Sequence, residues 1–149
     1  MIIETNKRFG LLMKDQQFEL PLNYCDESTE TIKVFAREVV DEHKDSQDLP
    51  WLIYFQGGPG YPSPRPTGRS GWLNKASQKY RILLLDQRGT GQSSVVNVQT
   101  LARFESAQEK ADYLKQFRVD NIIRDAEMIR HELVGQKWSA LGQSFGGFC

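Results

Sequence analysis

Histidine is scarce in this chain. It has only His43 and His131 among 149 residues, which leaves few candidates for imidazole chemistry. Cysteine is as scarce: Cys25 and Cys149 are too few for a disulfide framework and lack metal-ligand spacing. Neither sign of charge prevails, with 19 basic against 19 acidic side chains, so nothing favours nucleic acid or an anionic membrane as a partner. The opening MIIETNKRFG has no apolar core of signal-peptide length, and no stretch approaches a membrane span. A cytoplasmic protein is the expectation. What is present is ordinary for a globular chain of single-domain size, 39% hydrophobic and 26% charged.

The pattern along the chain changes near residue 50. Before it, QFELPLNY and TIKVFAREVV carry β-branched and aromatic residues in partial alternation about the polar turn CDESTE, which predicts antiparallel strands. After the charged loop DEHKDSQD come WLIYF (51–55) and RILLLD (81–86), short apolar runs of the kind buried on both faces of a parallel sheet. GWLNKASQKY between them has room for a short crossover helix. Residues 97 to 117 read as helical and surface-lying. VDNIIRDAEMIRHELVG places Val119, Ile122, Ile123, Ala126, Ile129 and Leu133 on one helical face, with Asp120 as a candidate cap and Gly135 as a candidate stop. KWSALGQS then reads as a third buried strand. The fold class is α/β: antiparallel first strands leading into a mostly parallel sheet with flanking helices.

Each of the three apolar strands ends in an unusual loop: QGGPG, DQRGTGQS and GQSFGG. Sites in parallel sheets form beyond the carboxyl ends of strands, so the three loops are expected to converge. GQSFG fits G-x-S-x-G. A nucleophile on a tight strand-to-helix turn needs small neighbours two residues either side, which Gly142 and Gly146 supply around Ser144. The Phe145 amide then faces any negative charge that develops at the turn. In QGGPG, Gly57 and Gly58 leave backbone amides unshielded and Pro59 stiffens the loop; the Gly58 amide is the candidate second donor. A lone GGPG is also compatible with a plain tight turn.

DQRGTGQS reads as architectural: Asp86 and Arg88 can pair and pin neighbouring loops, while Gly89 and Gly91 turn the chain sharply. No third glycine completes a dinucleotide fingerprint there, and no phosphate-cradling lysine motif occurs. GYPSPRP (60–66) reads as a stiff rim to the site. The histidines do not complete a triad. His131 falls opposite the apolar stripe of its helix, and His43 falls in a charged loop before the first parallel strand.

QGGPG, DQRGTGQS and GQSFGG, in this order and spacing, resemble the prolyl aminopeptidases (proline iminopeptidases) of the α/β-hydrolase superfamily. FRVDNIIRDAEMIRHEL is similar to the longer members, and the resemblance covers roughly residues 30 to 149. Many relatives have histidine where this chain has Gln56, at a position that transfers no proton; longer members also carry glutamine. The resemblance implies Ser144 as nucleophile, with the Gly58 and Phe145 amides as oxyanion hole. It implies a peptide with a free N-terminus as substrate, release of N-terminal proline, and no metal or organic cofactor. In this fold the acid and the histidine follow the serine in chain order. Residues 1–149 are therefore expected to be the N-terminal part of one α/β-hydrolase domain, inactive alone, with the cap and later strands beyond Cys149. Two other readings remain: an esterase or amidase of the same fold, and a non-catalytic remnant or interaction module. The serine at the elbow argues against dehalogenase or epoxide-hydrolase chemistry, which uses aspartate there.

Overall fold

The computed structural model describes residues 1–26, 30–68 and 71–149. Its centre is a six-stranded mixed sheet. The first three strands, β1 (Ile2–Arg8), β2 (Leu11–Pro21) and β3 (Thr31–Asp41), are antiparallel. The β1–β2 hairpin pairs Arg8 with Leu11 across the two-residue turn Phe9–Gly10, whose φ angles are both positive (57° and 70°). Such a turn matches the twist of the strands it joins. β1 is exposed throughout and is polar beyond Ile2 and Ile3, and the strand reading of the first forty residues did not single it out. Of the CDESTE turn, residues 27–29 lie outside the described residues.

The other three strands are β4 (Trp51–Phe55), β5 (Arg81–Asp86) and β6 (Ser139–Gly142). β4 lies between β5 and β6 and is parallel to both, while β5 runs antiparallel to β3. The sheet order is therefore β1-β2-β3-β5-β4-β6. The apolar runs are continuous because both faces are covered. Ile53, Phe55, Leu83 and Leu85 pack on one face with Ile122, Ala126 and Ile129. Tyr54, Ile82 and Leu84 pack on the other, against Trp72, Leu73 and Ala76. Alternate residues of one strand thus serve opposite layers, as the period-two pleat requires.

The covering helices are α1 (Gly71–Ala76) on one side and α4 (Val119–Leu133) on the other. Between β5 and α4 the chain forms α2 (Val98–Leu101) and α3 (Ala107–Lys115), so the helical reading of 97–117 holds in two pieces. Each begins with a reciprocal capping box, Asn97 with Thr100 and Ser106 with Glu109. Tyr113 of α3 is buried against Phe104 and Phe117, so this segment is not wholly surface-lying.

Two expectations need correction here. Asp120 does not cap α4: it sits within the first turn, and the N-cap is Arg118, with no side-chain hydrogen bond. A carboxylate there still suits the positive end of the helix dipole. The stop is as expected, with Gly135 at φ 66° donating to the Arg130 carbonyl. β6 is not a buried strand either. All four of its residues are exposed, because it forms the edge of the sheet beside β4.

Candidate active site

β4, β5 and β6 all point their carboxyl ends the same way, so the loops after them share one edge of the sheet. The loop after β6 is the tightest. Ser144 stands between β6 and the short helix α5 (Phe145–Phe148) at φ 52°, ψ −119°, a conformation uncommon for a residue bearing a Cβ. The side chain is exposed and makes no capping hydrogen bond. The turn is held by its backbone: Gln143 donates to the Phe55 carbonyl at 3.1 Å, and Gly146 donates to the Gln143 carbonyl at 2.9 Å.

The flanking glycines are sterically required. A Cβ on Gly142 would overlap the Gly146 carbonyl, and one on Gly146 would overlap the Phe55 carbonyl of the neighbouring strand. Gly57 is set against the same turn: a Cβ there would lie 2.9 Å from the Gln143 carbonyl oxygen and 3.0 Å from the Ser144 Cβ. The loop after β4 therefore lies directly against the serine turn. Gly58 follows at φ 126°, a value open only to glycine, and leads into Pro59. Among the described residues, the backbone N–H groups of Gly58 and Phe145 have no hydrogen-bond acceptor.

The loop after β5 is built differently. Asp86 and Arg88 do not pair with each other; each ties neighbouring segments through separate partners. Asp86 is fully buried, binds Arg65 at 2.5 Å, and accepts from the Ser63 and Gln92 amides at 2.9 Å each. It thereby fastens the proline-rich segment 60–66 to the end of β5. Gly91, at φ 58°, packs so close to the Asp86 carboxylate that no Cβ would fit. Arg88 turns the other way, to Asp125 of α4 at 2.5 and 2.7 Å, and also donates to the carbonyls of Pro21, Leu22 and Gln116. Burial holds the Asp125 carboxyl above its ordinary value, outweighing the Arg88 guanidinium and the Tyr24 hydroxyl that bond to it. The Tyr24 phenol is pushed up as well, by burial and by the Asp125 charge.

Both histidines lie at the opposite edge. His43 follows β3, whose end pairs with the start of β5, and its side chain is 83% exposed. His131 is exposed near the end of α4, where the chain turns to begin β6, with Nε2 3.0 Å from an Arg130 nitrogen. Both therefore lie toward the amino ends of β5 and β6, whereas Ser144 follows the carboxyl end of β6.

A sequence profile described as the alpha/beta hydrolase fold matches residues 50–149. The chain belongs to that family. It is 46% identical over 142 residues to the proline iminopeptidase of Aeromonas sobria, a match covering 94% of this chain and 33% of that protein. It is 43% identical over 144 residues to the proline iminopeptidase aneH of Aspergillus aculeatus, covering 89% of this chain and 31% of that protein. The chain thus spans about a third of the length of the curated relatives it matches. Among solved structures it is similar to that of esterase E22, with a TM-score of 0.56 at 10% identity over 90% of this chain and 41% of that one. That likeness concerns the fold alone.

Within this α/β-hydrolase framework, several site-forming residues went unassigned in the sequence. Tyr54 reads as one more apolar strand residue, yet its hydroxyl lies 2.8 Å from the side-chain amides of both Gln56 and Gln143. Gln87, 2% exposed, donates through its amide to the Gln56 carbonyl at 3.1 Å. Arg65 and Asp125, the partners of Asp86 and Arg88, are too distant in sequence for spacing to reveal them.

Proposed function

We propose that this chain carries the nucleophile and oxyanion hole of a serine aminopeptidase that releases N-terminal proline from peptides. The observation that carries the reading is the apposition of the Gly57–Gly58 loop to an exposed serine held at φ 52°. In the proposed reaction Ser144 Oγ attacks the carbonyl of the first residue. The oxyanion lies between the Gly58 and Phe145 amides, which have no other acceptor among the described residues. Donors of this kind are worth roughly a hundred- to a thousand-fold in rate each. With His43 and His131 at the far edge, the histidine that takes the Ser144 proton and gives it to the leaving amine comes from sequence outside residues 1–149, as does the acid that orients it. The preference for proline rests on the similarity to the two proline iminopeptidases.

The test uses the full-length protein with proline, alanine and leucine arylamides beside a simple acyl ester. Proline arylamide is the expected best substrate. Strong ester hydrolysis without aminopeptidase turnover would leave Ser144 in place and reassign the enzyme as an esterase. Residues 1–149 alone should show no turnover above background; activity that disappears in Ser144→Ala would mean the chain contains its own base.

A further inference from the structure

The Tyr54 hydroxyl touches both loops that form the site. Its ring is 2% exposed in β4 and stacks on Trp72 of α1, centroids 4.8 Å apart and planes 23° apart. The ring is therefore fixed, and its oxygen is set 2.8 Å from Gln56 Oε1 on one side and Gln143 Oε1 on the other. A phenol has one proton to donate and can also accept, so one of the two amides turns its NH2 toward the oxygen and both contacts are made. Burial raises the phenol pKa, which keeps that proton in place. Gln56 opens the Gly57–Gly58 loop, and Gln143 immediately precedes Ser144.

We propose that Tyr54 is a positioning residue that locks the Gly57–Gly58 loop to the Ser144 turn through the paired amides of Gln56 and Gln143. The lock sets the distance between nucleophile and oxyanion donors. Two backbone contacts act beside it, Gln87 on the Gln56 carbonyl and the Gln143 amide on the Phe55 carbonyl. Neither of these joins side chains of the two loops. Tyr54 also answers why polar Gln56 and Gln143 flank the glycine and serine motifs: each offers an amide where the hydroxyl can reach it. The kinetic half of this inference rests on the function proposed above.

Tyr54→Phe in the full-length protein removes the hydroxyl and keeps the ring stacked on Trp72. Hydrogen bonds of ordinary net strength predict kcat lower by about three- to tenfold with KM within about twofold. Adding Tyr54→Phe to a Gln56→Ala/Gln143→Ala background should change nothing further, because its partners are gone; an additive loss would overturn the lock. Backbone 15N relaxation gives a readout independent of activity. Order parameters at Gly57, Gly58, Ser144 and Phe145 should fall together, from about 0.85 toward 0.6. Gln143→Leu, made in the elbow, should loosen Gly57 and Gly58 in the same way. Unchanged order parameters, or a change confined to the mutated loop, would overturn the proposal. Should the wild type not hydrolyse arylamides, the proposed function falls and the relaxation arm alone decides on Tyr54.

Discussion

The loops after β5 and β6 both end parallel strands of one sheet, yet they treat polar groups in opposite ways. After β5, Asp86 and Arg88 are at most 2% exposed and are bonded within the protein. Ser93 donates to the Asp86 carbonyl and accepts from the Phe35 amide, so the loop is also stitched to β3. After β6, the Ser144 hydroxyl is exposed and the neighbouring Phe145 amide has no acceptor among the described residues. Satisfied buried groups hold a structure in one arrangement. An exposed group on strained backbone with free donors beside it contributes little to stability and is available to a ligand. Loss of the first kind should therefore be felt in folding, and loss of the second in chemistry.

Ser144→Ala is the largest expected effect and touches only chemistry. In the full-length protein kcat should fall by about a million-fold, as when the serine of a triad is removed, while the denaturation midpoint stays within error of wild type. Near-normal turnover would remove Ser144 from the mechanism. Arg88→Met is the converse. It leaves the Asp125 carboxylate buried without its cation, at a cost of about 3–5 kcal/mol in unfolding free energy. Arg88→Met/Asp125→Leu should recover part of that loss. It should stay below wild type because the carbonyls of Pro21, Leu22 and Gln116 have lost their donor. A double variant as stable as wild type would show that those carbonyls do not depend on Arg88.

Gly146→Ala tests whether the elbow belongs wholly on the chemical side of the comparison. The added methyl meets the Phe55 carbonyl of a central strand, and neither backbone can retreat without moving the other. Overpacking of this kind costs about 1–3 kcal/mol. Unlike Ser144→Ala, the variant should lose both stability and turnover, read from denaturant titration and arylamide kinetics. Full stability with normal kcat would mean the turn is looser than its geometry implies.

The two regions were also unequally legible. β4 and β5 stand out because strands covered on both faces carry no polar interruption, and the serine turn stands out because its geometry admits only glycine at 142 and 146. β6 looks the same as its neighbours in sequence but is exposed, since burial depends on what lies beside a strand and not on its own residues. The partner of Arg88 was hidden as well. Asp125 lies 37 residues away, three residues after Ile122 and four before Ile129 on the flank of the apolar stripe, and it is buried beside Ala126; nothing in its spacing from Arg88 marks the two as partners. Tyr54 was illegible because a buried tyrosine counts as apolar in any periodicity, whatever its hydroxyl reaches.

The smallest expected effect comes from ion pairs at the other edge of the sheet, and it sharpens the contrast with the pair of Arg88 and Asp125. Asp45 accepts from Lys14 at 2.7 Å and from Arg81 at 2.8 Å, and both also contact Glu38. Those hydrogen bonds, Arg81 first, hold the Asp45 carboxyl below its ordinary value, whereas burial holds Asp125 above its own. The signs of the two pH dependences therefore differ. A carboxylate with a depressed folded-state pKa binds fewer protons folded than unfolded. Its contribution is complete above the unfolded value of about 4 and is lost as pH falls through the folded value. Asp45→Asn in the full-length protein should lower the midpoint slightly at neutral pH, since a side chain 37% exposed is well screened. The gap from wild type should close as pH drops below about 4. Chemical denaturation of both proteins between neutrality and pH 3 measures it. A gap that persists unchanged into acid would mean that the substituted amide disturbs packing, and that the charge of Asp45 contributes nothing.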